Sequence, residues 1–223
     1  MAALAAVLLA AAVAGQLALR RNRPPSAPPL AEGAFAALGG LRSIAAEVVW
    51  FRADRLQEEG RYVELAQLAS ALAFMEPHTP EVWSYAAWNL AYNVSVMMPT
   101  HEDRWRWVEA AIRLLRDEGL SLNPDSRELC RDLAWLFEIK IGTDLDSAAQ
   151  TYRTKWKEIV KDVTARNAWK ELGMDPEKMR SIEKATGFDD WTNPQLSAIY
   201  WAAMGGWRDI VHQASVLYRR THK

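Results

Sequence analysis

Between Ala46 and Asn93 the chain keeps a helical period that is interrupted at set distances. Gly60, Tyr62, Leu65, Ala69, Leu72 and Pro77 fall at the offsets of the turn, second helix and terminator in a helix-turn-helix repeat of about 34 residues. Counting from Ala46, the next unit opens at Pro80 and puts Trp83 where such a repeat carries its first aromatic ring. A unit of this kind cannot bury its apolar face alone, so the pattern calls for stacked neighbours.

From Leu41 onward apolar residues recur at helical spacing, and no segment sustains the alternation of a strand. The predicted fold class is all-α: an irregular helical-hairpin solenoid of three to four helix pairs behind an N-terminal transmembrane or signal-like helix. The first helix is expected over 43–59, with Ala46, Val49, Trp50, Ala53 and Leu56 on its packing stripe and Gly60 as its C-terminal glycine. Further helices are expected over 62–75, 80–97, 102–118, 126–140 and 145–170, the last capped by Asp144. Shorter ones follow over 176–184, 194–204 and 207–218. The interval from Pro77 to a second terminator, Pro124, exceeds one repeat by about 13 residues. A lengthened third helix and the Pro99-Thr100-His101 loop absorb the surplus. Gly142 with Ala148, Ala149 and Tyr152 repeats the turn and second-helix pattern one residue out of phase.

The N-terminus differs from the rest. Ala2 to Leu19 is almost wholly apolar and is followed by Arg20, Arg21 and Arg23. As a helix its 18 positions span roughly 27 Å, enough to cross a bilayer core. A single-pass anchor is the first reading, and arginines after the span place the following domain on the cytoplasmic side. The second is a secretory signal, with Ala12-Val-Ala14 as a small-residue cleavage pattern and a periplasmic domain, although no Lys or Arg precedes the apolar run. A buried core helix is the third. Pro24-Pro-Ser-Ala-Pro-Pro29 then favours an extended linker. The expected organisation is an anchor or signal-like helix at 1–23, a Pro-rich linker at 24–40, a repeat domain at 41–170 and a C-terminal helical cap at 171–223.

The chain resembles the tetratricopeptide-repeat superfamily over about 46–160, on the glycine, proline and aromatic positions named above. It is similar also to a group of membrane-anchored, repeat-containing bacterial proteins. That likeness rests on Gly40-Leu-Arg-Ser-Ile-Ala-Ala-Glu-Val-Val-Trp50, Leu56-Gln-Glu-Glu-Gly-Arg-Tyr62, Glu76-Pro-His78, Ala87-Trp-Asn-Leu-Ala-Tyr-Asn93, Asp190-Trp191 and Ala198-Ile-Tyr-Trp201. Arg52 and Ala53 stand where the general repeat carries Leu-Gly. The resemblance implies a helical repeat fold and a membrane anchor and leaves the biochemistry open; the chain is read as a scaffold that binds another protein within a bacterial envelope assembly.

In a solenoid the first helix of each unit lines the concave face. In this register the groove receives Glu47, Trp50, Asp54 and Gln57 from the first unit. The second gives Glu81, Ser84, Trp88 and Ala91, and the third Glu128, Arg131, Trp135 and Glu138. Alternating aromatic and charged groups suit an extended peptide or a partner helix. The alternative is that these tryptophans pack beneath the C-terminal helices and fill the groove from within. Of the eleven tryptophans, Trp83, Trp135, Trp156 and Trp169 sit at helical positions where wide side chains fill a core, and Trp105 and Trp107 point about 200° apart.

Chemistry-bearing patterns are sparse. The 27 Lys plus Arg balance 28 Asp plus Glu, which argues against a nucleic-acid partner. Cys130 is the only cysteine, so no disulfide framework forms within the chain and its thiol is read as structural. His78, His101, His212 and His222 lack metal-ligand spacing, and no phosphate loop or nucleophile elbow occurs. No metal, cofactor or catalytic residue is expected, and the chain is read as a protein- or peptide-binding scaffold held at a membrane. The competing readings are an α-helical enzyme using Glu47, Asp54, Glu128 and Glu138 in the groove, and a purely structural spacer.

Overall fold

A computed structural model describes residues 41–61, 64–65, 67–68 and 76–221, and among them helices and turns occur without a strand. The all-α class therefore holds. The apolar segment 2–19, the Pro-rich linker and most of the helix expected over 62–75 lie outside the described residues. Among those described, no helix is long and apolar enough to cross a membrane. The chain divides into two units after Arg52. The described part of the first unit is the start of α1 (Leu41–Glu58), where Val48 and Phe51 are exposed.

In the second unit, α1 buries Ala53 and Leu56 and ends at Gly60, whose φ of 70° is a left-handed conformation that glycine adopts without strain. The Arg61 N–H closes the turn onto the Leu56 carbonyl at 2.9 Å, the wrap-around bond of a glycine-terminated helix. Helix α2 (80–97) starts on Pro80, whose fixed φ suits a first turn and whose missing N–H would have had no partner there. Helix α3 (101–122) is capped by Thr100, whose hydroxyl accepts from the Asp103 N–H at 3.1 Å; such caps contribute about 1 kcal/mol. Ser126 caps α4 (127–141) in the same way, accepting from the Leu129 N–H at 3.3 Å.

Each of these three helices contains one π-helical turn: Asn89–Val94 within α2, Leu114–Gly119 within α3 and Leu136–Ile141 as the last turn of α4. A π turn closes hydrogen bonds five residues apart, so it holds an extra residue and shifts the side chains beyond it around the axis.

Helix α5 (Ala149–Arg166) is shorter than the expected 145–170. Its start is set by a turn in which Asp146 accepts from the Ala148 N–H at 2.9 Å; Asp144, expected as the cap, instead pairs with Arg153 at 2.6 Å. Its end comes at Asn167, left-handed at a φ of 51°, after which Trp169–Leu172 forms a short 3-10 turn. Three helices complete the chain: α6 (Pro176–Thr186), α7 (Pro194–Gly205) and α8 (Arg208–Thr221). The segment expected to form a C-terminal cap thus supplies the most enclosed helix among the described residues. Most of α7 is buried, Leu196, Ile199, Tyr200 and Trp201 among its large side chains, between α4 and α8. A helix apolar on all sides must lie inside, and each large side chain so enclosed contributes about 1.5–3 kcal/mol.

The tryptophans sort by position. Trp83, Trp105, Trp156, Trp191 and Trp201 are buried, and Trp107 is only partly so, in keeping with the angle between it and Trp105. Trp88 and Trp135 stand out with 51% and 42% of their surface exposed.

Candidate functional site

Residues four apart on a helix share a face, and Ser84, Trp88 and Tyr92 form such a column on α2, as Arg131 and Trp135 do on α4. The two columns flank a cavity of about 410 Å³, joined by Tyr85 and Ala87 of α2, Asp132 and Leu136 of α4, and Leu115 of α3. Tyr92, Leu115 and Leu136 each belong to the π turn of their helix, so all three helices change geometry where they meet the cavity.

The walls are mainly apolar. Trp88 stacks on Tyr92 with ring centroids 4.1 Å apart and planes 25° from parallel. Two polar atoms are enclosed without a hydrogen-bond partner, the Ser84 and Tyr92 hydroxyls. Burial pushes the Tyr92 phenol well above its ordinary pKa; the Trp135 indole opposes this without completing a hydrogen bond, and the nearby Asp132 carboxylate adds to it. On the rim, Arg131 donates from Nε and Nη2 to Asp132 Oδ1, both at 3.0 Å, and from Nη2 to Glu128 Oε1 at 3.3 Å. Its guanidinium also lies 5.6 Å from the Trp207 ring.

Of the groove residues read from the sequence, Ser84, Trp88, Arg131 and Trp135 come together here, and Glu128 reaches the rim through Arg131. On α1 both Asp54 and Gln57 are exposed; Gln57 accepts from the Tyr85 hydroxyl at 2.9 Å. Burial, followed by the Asp54 charge, raises the Tyr85 pKa. Glu81 is exposed on the first turn of α2 and does not line the cavity. The side chains of Glu47 and Trp50 lie outside the described residues.

Glu138 departs from its expected position. An unbroken α-helix would carry it on the Trp135 face, but the π turn from Leu136 to Ile141 rotates it inward, where it is 2% exposed. Desolvation raises its carboxyl pKa. Tyr85, Tyr92 and Asp132 were not among the expected groove residues. Tyr92 carried a usable signal, an aromatic residue four positions after Trp88.

Behind Tyr92 lies a second polar assembly. The Lys140 Nζ is 5.0 Å from the Tyr92 ring centroid and donates to Asp146 Oδ2 at 2.6 Å, with both side chains buried. Asp146 also accepts from the Tyr152 hydroxyl at 3.2 Å, and Arg104 lies 3.5 Å from its other oxygen. Burial acts to raise the Asp146 pKa, but the bonds from Lys140 and the Ala148 N–H outweigh it and hold the carboxylate below its usual range. Burial pulls Lys140 down against the attraction of Asp146. The carboxylate, with three donors, is the securely charged member of the pair.

Among the described residues no three of His, Cys, Asp and Glu gather closely enough to hold a metal ion. Cys130 is buried on α4, and desolvation pushes its thiol up to about 11, a poor nucleophile at neutral pH. No protein-family model matches this chain, and it finds no similar protein among curated sequences or solved structures.

Proposed function

We propose that this chain is a tetratricopeptide-like scaffold, held at a membrane by its first 23 residues and spaced from it by the Pro-rich segment 24–40. It binds a protein or peptide partner in a bacterial envelope assembly through the groove between α2 and α4. One observation carries the reading: Trp88 and Trp135, on separate helices, remain 51% and 42% exposed on either side of a cavity of about 410 Å³. Wide aromatic side chains beside a recess are the usual anchors of a protein interface, where a few residues supply most of the affinity. The rim acids favour binding over catalysis, because Glu128 and Asp132 are tied to Arg131 and Glu138 is turned inward. Catalysis by paired carboxylates needs two of them facing one space.

The test is recovery of partners by crosslinking and affinity purification of the full chain from detergent-solubilised membranes. Trp88→Ala and Trp135→Ala, each checked for native helicity by circular dichroism, are expected to lose recovery by about tenfold or more, the effect of removing an interface anchor. Undiminished recovery in both folded variants would sink the groove reading.

A further inference from the structure

Between α7 and α8 the chain folds one indole back onto the start of α4. Gly206 is left-handed at a φ of 73°, and a Cβ on Gly205 would stand 2.6 Å from Trp207 Cδ1 and 3.0 Å from the Arg127 carbonyl oxygen, so neither position suits a side chain. Two bonds lock the joint: Trp207 Nε1 donates to the Arg127 carbonyl at 2.8 Å, and Arg127 Nε donates to the Gly205 carbonyl at 2.7 Å. The ring so seated has the Arg127 guanidinium 5.3 Å and the Arg131 guanidinium 5.6 Å from its centroid.

Of these two arginines only Arg131 lines the cavity, and it has a second ring within reach. Trp135 stands four residues on, and because helical side chains lean toward the N-terminus it leans over the turn that carries Arg131. A guanidinium laid on that indole would gain the same kind of attraction and would cover part of the 42% of its surface that is exposed. Among the described residues Arg131 lies over Trp207 and over no other ring. Its bonds to Glu128 and Asp132, at 3.3 and 3.0 Å, join partly exposed groups, and such ion pairs hold weakly.

We infer that Trp207 is a positioning residue of the groove: its ring draws the Arg131 guanidinium away from Trp135 and keeps that indole bare for the partner. This role rests on the binding-groove reading above and adds to it a tie between the α7–α8 joint and the groove through one side chain. Arg131 is drawn to the ring face, since the indole N–H is spent on the Arg127 carbonyl. A phenyl ring in the same place therefore does the same work, and an aliphatic side chain does not.

The experiment uses the full chain in detergent micelles, labelled with 5-fluorotryptophan, with the Trp135 fluorine signal assigned through Trp135→Phe. Contact with water is read from the displacement of that signal between light and heavy water. Trp207→Leu, checked for native helicity by circular dichroism, is expected to reduce the displacement about twofold, and Trp207→Phe to leave it at the wild-type value. Adding Arg131→Met to Trp207→Leu is expected to restore it, which a general loosening of the joint would not do. Arg131→Met alone alters one partly exposed side chain, is expected to keep the wild-type displacement, and leaves the role open to refutation should Trp207→Leu not fold. A bare Trp135 in folded Trp207→Leu, an equal loss in Trp207→Phe, no restoration in the double variant, or a gain in displacement with Arg131→Met alone would each overturn the positioning role. Failure of the groove reading is a separate result. Trp135 covered in Trp207→Leu with undiminished partner recovery defeats the groove and leaves the positioning in place, whereas a bare Trp135 in that variant defeats the positioning whatever the recovery.

Discussion

Tyr92 divides two assemblies built from similar parts. On one side it stacks on Trp88 at a cavity where two hydroxyls go unbonded and two tryptophans are half in water. On the other it meets the Lys140 ammonium, which belongs to a buried cluster where Asp146 draws bonds from lysine, tyrosine and the backbone. Aromatic rings, a hydroxyl, a cation and a carboxylate occur on both sides. The difference is satisfaction of polar groups: a completed buried network holds a fold, and an incomplete one stays costly until something else completes it. The completed cluster serves the fold, and the proposed binding groove lies on the side where the two hydroxyls are left unbonded.

That contrast can be broken most forcefully at Asp146. Asp146→Ala leaves Lys140 buried without its partner, and truncating one member of such a pair costs about 3–5 kcal/mol. The expected result is a large fall in the urea midpoint, with most of the loss regained when Lys140→Met and Asp146→Leu are combined. A small effect of Asp146→Ala would mean that the cluster holds little together.

A sharper and smaller test compares two tyrosines. Tyr152→Phe removes a hydroxyl bonded to a carboxylate, a loss of about 1.5–3 kcal/mol. Tyr92→Phe removes a hydroxyl that the Trp135 indole approaches without completing a hydrogen bond, and is expected to change stability by less than about 0.5 kcal/mol or to raise it. Equal losses in chemical denaturation would erase the distinction.

The mildest effect concerns Glu138. Its carboxyl pKa is raised in the folded chain by desolvation. A raised folded pKa means that its favourable contribution is whole below the unfolded carboxyl value and is lost as pH rises through the folded one. Wild-type stability is thus expected to decline across that window, and Glu138→Gln to flatten the decline. Denaturation midpoints measured from about pH 4 to 7 span the unfolded value and the region above it. An unchanged pH profile in the variant would place the cause elsewhere.

Much of the helical framework was legible because its punctuation is local. Pro80 begins α2, Gly60 closes α1, and residues 80–97 follow the predicted span. The convergence of Ser84, Trp88, Arg131 and Trp135 was legible too, since each pair is set by a four-residue spacing within one turn of the next. Past those positions the reading slipped. A π turn leaves no mark in composition, so an unbroken 3.6-residue period carried Glu138 to the wrong face. The start of α5 was misplaced for a different reason: Asp144 and Asp146 look alike as caps, and it is Asp146 that takes the Ala148 N–H and is held by Lys140 and by Arg104 from another helix. The burial of α7 depends on α4 and α8 lying against it, which no local signal announces.

The three π turns also bear on how the chain tolerates changes in length. Each holds a residue that an α-helix could give up without breaking its backbone ladder, so a single deletion inside 89–94, 114–119 or 136–141 would leave a continuous helix. Everything beyond it would turn by about 100°. In α4 the π turn is the last one and contains Lys140, so a deletion ahead of Lys140 would carry it away from Asp146 and from the Tyr92 ring, although no side chain had been altered. For these helices an insertion or deletion is a gentle change to the backbone and a severe one to the alignment between cavity and cluster.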